Sequence, residues 1–118
     1  MRNFIRFGVA AAAALLVSAC ASMVTGGPLI RPGEPTGVII VQNAAGYPVN
    51  VVLISACNVS TYGLNRLPGG TAIGSGQAYT FEVSAGCWDV AAGSTGAGTE
   101  ARQRMNVAAG GGVRYTVH

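Results

Sequence analysis

Apolar and polar positions fall into two regimes along this chain. From Phe7 to Val17 the residues FGVAAAAALLV are apolar without interruption. From residue 37 onward, short apolar runs alternate with polar positions and are cut by glycine-rich turns. GVIIVQN (37–43) is a β-branched run closed by Asn43-Ala44-Ala45-Gly46. YPVNVVLIS (47–55) is apolar on both faces, which predicts a central strand. A long loop over 56–70 carries Asn58, Gly63, Pro68, Gly69 and Gly70. QAYTFEVS (77–84) sets Tyr79, Phe81 and Val83 inward against Thr80, Glu82 and Ser84. Ala85-Gly86 then reads as a two-residue turn that returns CWDVAAG (87–93) as its hairpin partner. TEARQRMNV (99–107) sets Ala101, Met105 and Val107 against Glu100, Arg102 and Arg104. VRYTVH (113–118) turns Val113, Tyr115 and Val117 inward. Helix propensity competes over 99–107, but that segment is short and flanked by glycines. The spacing predicts an all-β domain over 37–118, a small antiparallel sandwich or barrel of about six strands.

The N-terminal regime has a different logic. Arg2 and Arg6 precede the apolar stretch, and the small residues Ser18 and Ala19 precede Cys20. That layout is a secretory signal peptide over 1–19, too short for a transmembrane helix of about 20 residues. Leu16-Val17-Ser18-Ala19-Cys20 resembles the lipobox of bacterial lipoproteins, with Val17 where leucine is more usual. The resemblance implies cleavage before Cys20 and acylation of its thiol. With Ala21 following rather than aspartate, it implies an outer-membrane destination facing the periplasm. Ordinary secretion with Cys20 unmodified is the rival reading. Residues 21–36 carry Pro28, Pro32 and Pro35 among glycines with no usable period, so 20–36 reads as an acylated cysteine and a flexible linker.

Composition sharpens this picture at two points. The chain has 118 residues, 3 of them cysteine, and a formal charge of +3. Setting Cys20 aside leaves Cys57 and Cys87, which in an oxidising compartment read as a disulfide; buried free thiols or one reactive cysteine are the alternatives. A loop of about 31 residues closed in this way contributes roughly 3–4 kcal/mol. Losing Arg2 and Arg6 with the signal lowers the formal charge to +1. No basic run with interleaved aromatics remains, so nothing points to nucleic acid.

Chemistry is sparse. The single histidine is His118 at the end of the sequence, no C-x-x-C offers metal or redox spacing, and no phosphate-binding glycine motif is present. No metal or cofactor is expected. Glu82 and Asp89 fall on two strands expected to pair, but Glu82 is on the outward side, which argues against a carboxylate pair. The expectation is therefore a non-catalytic protein. One constellation stands out as candidate binding machinery: Tyr62, Asn65 and Arg66 in the long loop, with Trp88 and Asp89 beside Cys87. If Cys57 bonds Cys87, Arg66 reaches Asp89, either as a binding site or as a structural clamp on the loop.

The order Tyr62-Gly63-x-Asn65-Arg66-Leu67, Gly76-Gln77-x-Tyr79-Thr80-Phe81-x-Val83 and Gly86-Cys87-x-Asp89-Val90 resembles short secreted bacterial domains of uncharacterised function, implying a β-sandwich and no activity. Ser75-Gly76-Gln77-Ala78-Tyr79 is similar to the S-G-x-x-Y motif of membrane-anchored C-type lysozyme inhibitors. That likeness implies that Ser75, Gly76 and Tyr79 meet a lysozyme active site. The expected function is a lipid-anchored periplasmic module that binds an envelope protein partner or serves envelope structure, with lysozyme inhibition as the alternative.

Overall fold

The computed structural model describes residues 26–59, 63–99 and 102–118. The chain forms β1 (Thr36–Asn43), β2 (Val51–Ala56), β3 (Ala78–Ser84), β4 (Gly86–Ser94), β5 (Gly98–Thr99), β6 (Gln103–Val107) and β7 (Gly112–Val117). They build two sheets, one of order β3-β1-β7 and one in which β2 and β5 flank β4, with β6 also paired to β4. The all-β sandwich expected from the alternation is the observed architecture.

Period-two patterning explains the core. Along β1 every second residue is buried, so Ile39, Val41 and Asn43 face inward while Val38, Ile40 and Gln42 face out. The first sheet contributes Ile39, Val41, Phe81, Val83, Tyr115 and Val117, and the second contributes Val52, Ile54, Trp88, Val90, Met105 and Val107. Trp88 is the largest fully buried side chain. Asn43 is buried among these apolar groups because its amide is fully used: it accepts from the Ala45 N–H and donates to the Tyr47 and Ile73 carbonyls.

The strands connect differently from the sequence expectation in four respects. First, β3 and β4 are not a hairpin: β3 pairs with β1, and β4 with β2, β5 and β6. The chain crosses between sheets at Ala85-Gly86, where Gly86 takes φ 137°, a conformation that side chains disfavour. The backbone groups a hairpin would have paired go to residues 29–35 instead, with Ser84 N–H donating to the Leu29 carbonyl and Ala85 N–H to that of Pro35. Second, β1 and β7 run parallel. β6 and β7 lie in different sheets, and the turn at 108–111 carries the chain across, so β7 leaves the same end of the sandwich as β1. Third, β2 is an edge strand, not a central one, and starts later, at Val51; Val49 makes only an isolated bridge to Ile73. Fourth, the last-but-one predicted strand is two short ones, β5 and β6, with Glu100 and Ala101 outside the described residues.

Residues 26–35, expected to be free linker, are fastened to the domain. Ala56 N–H donates to the Gly26 carbonyl, and Arg31 N–H to Ser84 Oγ. The Arg31 guanidinium lies 5.2 Å from the centroid of the Trp88 ring, and its Nη2 donates to the Ala85 carbonyl. The domain therefore begins by Gly26, and this strap closes one pole of the sandwich. Cys57 and Cys87 form a disulfide at that pole, with a sequence separation of 30.

That staple sets a stability expectation. Replacing Cys57 and Cys87 together by serine lowers unfolding free energy by about 3–4 kcal/mol, the chain entropy of the loop it closes. Urea unfolding of the oxidised protein and the double variant measures this, and equal midpoints would contradict it.

Candidate functional site

The residues singled out in the sequence separate in space. Asn65 and Arg66 lie along the open edge of β2, and Trp88 and Asp89 lie on opposite faces of β4. Tyr62 and Cys20 fall outside the described residues.

Asn65 and Arg66 complete a strand edge. Asn65 Oδ1 accepts from the Val52 N–H at 2.8 Å and its Nδ2 donates to the Asn50 carbonyl at 2.7 Å. A single side-chain amide thus substitutes for a neighbouring strand. Arg66 continues the pattern: its backbone N–H donates to the Val52 carbonyl at 2.7 Å, and Nε and Nη2 donate to the Ile54 carbonyl at 3.0 and 2.8 Å. Nη2 also reaches the Gly27 carbonyl at 2.6 Å, tying the loop to the strap. Desolvation pushes the Arg66 guanidinium below its ordinary range. An edge left open would template pairing with other chains, and this loop covers it.

Arg66 does not meet Asp89. Asp89 is buried on the outward side of β4, where the register sets it opposite Ser55 on β2 and Arg104 on β6. Arg104 grips it in a two-pronged contact, Nε to Oδ1 at 3.0 Å and Nη2 to Oδ2 at 3.1 Å. The hydrogen bond and charge of Asp89 raise the Arg104 pKa further. The Arg66–Asp89 pair expected from the sequence, as site or as clamp, is not formed; Arg66 ties the loop down through the Ile54 and Gly27 carbonyls instead. Trp88 is core, its Nε1 donating to the Ser84 carbonyl at 2.8 Å. Glu82 and Asp89 sit in different sheets, so they do not form a carboxylate pair.

Ser75 and Gly76 are exposed at the pole opposite the strap, and Ser75 Oγ donates to the Ala45 carbonyl at 2.5 Å. Tyr79 is half-buried, its ring 4.8 Å from that of Phe81. His118 is exposed.

The sequence reading missed a different surface. On the outward side of β3-β1-β7, Ile40 lies between Thr80 and Arg114, and Val38 between Glu82 and Gly112. Val38 and Ile40 are only half-buried, so an apolar centre is flanked by an acid on one edge strand and a base on the other. Two strand spacings of about 4.8 Å separate those edges. Glu34 pairs with Arg31, and Asp89 with Arg104. Glu82 and Arg114 have neither an ion pair nor a side-chain hydrogen bond among the described residues. Beside them a groove of about 420 Å³ is lined by Thr36, Gly37, Val38, Glu82 and Gly110–Gly112. A second groove, of about 480 Å³, lies at the strap between Pro28, Arg31, Val59 and the disulfide. Alternation placed Glu82 outward. The signal that was available for the rest is the apolar residues at the outward positions 38 and 40 of β1. No protein-family model, curated protein or solved structure matches this chain.

Arg66→Ala removes the charged donor to the Ile54 and Gly27 carbonyls. Stability falls by about 1.5–3 kcal/mol in denaturant unfolding. Combined with Asp89→Asn, the losses add to within about 0.5 kcal/mol, whereas Arg104→Ala and Asp89→Asn are coupled. Coupling between positions 66 and 89 would contradict the assignment.

Proposed function

We propose that this chain is a lipid-anchored, non-catalytic module of the bacterial envelope, held at the outer membrane through Cys20 and binding an envelope protein on the outward face of β3-β1-β7. The observation that carries the binding role is the pair Glu82 and Arg114, uncommitted on either side of Val38 and Ile40. A half-buried apolar centre ringed by free charges of opposite sign is suited to a partner of complementary charge. Several other charges are engaged in holding the fold: Arg66 on backbone carbonyls, Asp89 on Arg104, Arg31 on Glu34 and Trp88. The anchoring role rests on the lipobox-like LVSAC ending at Cys20. The Cys57–Cys87 disulfide is compatible with an oxidising compartment.

A second reading, inhibition of a C-type lysozyme, is favoured by the exposure of Ser75 and Gly76 at the pole away from the strap. Nanomolar protein that leaves lysozyme activity unchanged ends that reading.

The main proposal has its own measurements. Wild-type protein partitions into a detergent phase and Cys20→Ala into the aqueous phase; wild-type protein in the aqueous phase would remove the anchor. The double reversal Glu82→Arg with Arg114→Glu, both on exposed positions, leaves unfolding within about 0.5 kcal/mol of wild type. It abolishes recovery of the envelope protein that co-purifies after mild extraction. Undiminished recovery would place the partner on another surface.

A further inference from the structure

The strap that closes one pole of the sandwich also limits how the domain can lie. Four carbonyls of the strap accept hydrogen bonds from the body: Gly26 from Ala56, Gly27 from Arg66, Leu29 from Ser84 and Pro35 from Ala85. Arg31 is held by the Ser84 hydroxyl, the Ala85 carbonyl and the Trp88 ring. So the point where the chain joins the domain is fixed at Gly26, beside the disulfide. Only six peptide links separate Cys20 from Gly26, and fully extended they span at most about 20 Å.

We infer that this pole faces the lipid surface, with Ile30 as its contact into the membrane interface; the inference rests on the proposed acylation of Cys20. If the acyl chains sit in the bilayer, a link of about 20 Å cannot let the opposite pole come down in place of the strap, because β1 alone separates the poles by about 25 Å. The surface at the strap suits that position. Ile30 is 45% exposed, one of two large apolar side chains so exposed among the described residues, and the exposed Pro28 and Pro32 flank it. The two charges of the strap itself compensate each other, Arg31 lying against Glu34. The other exposed large apolar residue, Leu64, precedes Asn65 at the level of Asn50 and Val52, away from the strap. The opposite pole, with Ala44 and the 94–98 turn, then points away from the membrane, and the β3-β1-β7 face stands upright, open to a partner from the side.

Single-cysteine labelling reads this directly. In the mature protein Cys20 is consumed by acylation and Cys57 is bonded to Cys87, so Ile30→Cys or Ala44→Cys supplies the one free thiol for a fluorophore. Full-length acylated protein is placed in phosphatidylglycerol and phosphatidylethanolamine vesicles carrying a nitroxide on the headgroup, and intact mass establishes the acyl group on Cys20. The expected result is quenching several-fold stronger at position 30 than at position 44. Equal quenching at the two positions, or stronger quenching at 44, with the acyl mass present, overturns the orientation while leaving the anchor intact. A mature protein whose Cys20 carries no acyl mass overturns both.

Discussion

One of the chain's passages between the two sheets begins at Ser84, and the seating of the strap and of Trp88 depends on that corner. Ser84 is fully buried, yet its N–H donates to the Leu29 carbonyl, its carbonyl accepts from Trp88 Nε1, and its hydroxyl oxygen accepts from the Arg31 N–H. A buried polar residue is tolerable only when its groups are paired, and here each pairing joins a different part of the chain. The first seats the strap, the second orients the largest core side chain, and the third positions Arg31 over that side chain's ring. At this corner the chain leaves the first sheet at the end of β3, and the short Ala85-Gly86 link carries it into β4 of the second.

That dependence explains which parts of the fold were legible in the sequence. Alternation in VIIVQ, YTFEV and VRYTV reports which residues are buried, because period two is a local property of a strand next to a core. It does not report which strand lies alongside. Ala85-Gly86 is chemically suited to a hairpin, and the same dipeptide serves equally to pass between sheets. The choice is made by residues 29–35, a stretch without any periodicity, whose backbone carbonyls accept the donors of 84 and 85. The edge position of β2 was hidden for a related reason. Val51, Leu53 and Ile54 make both of its faces apolar, as in a central strand, but its missing neighbour is replaced by side chains of Asn65 and Arg66.

The candidate site was misread through the same substitution of side chain for backbone. Asn, Arg and an aromatic on a long loop have the composition of a binding hot spot, and equally that of a loop tied to an edge strand. What separates the two is whether the polar groups have anything left to offer. Arg66 donates through Nε and Nη2 to two backbone carbonyls, and the Asn65 amide bonds on both its oxygen and its nitrogen, so both side chains are committed to the fold. Asp89 was legible only in part. Its neighbour across the sheet is Arg104, and the outward assignment of Arg104 followed from alternation, but the register that brings the two together is a long-range property.

Accounting for charge in this way turns a weakly charged protein into an informative one. With 9% charged residues, every unpaired ionised group is a larger share of the surface field than in an ordinary domain. Pairing Arg31 with Glu34 and Arg104 with Asp89 brings each of those opposite charges close together, and half-burying Arg66 against carbonyls removes a fifth from display. Glu82 and Arg114 stand outside these arrangements, on the two edge strands of one sheet face, across the half-exposed Val38 and Ile40. Neither contributes a side-chain hydrogen bond to the fold among the described residues, so stability does not account for their placement. Uncommitted charge concentrated beside apolar area, while Arg31, Glu34, Arg66, Asp89 and Arg104 are engaged in the fold, is the reason the proposed recognition is assigned to this face.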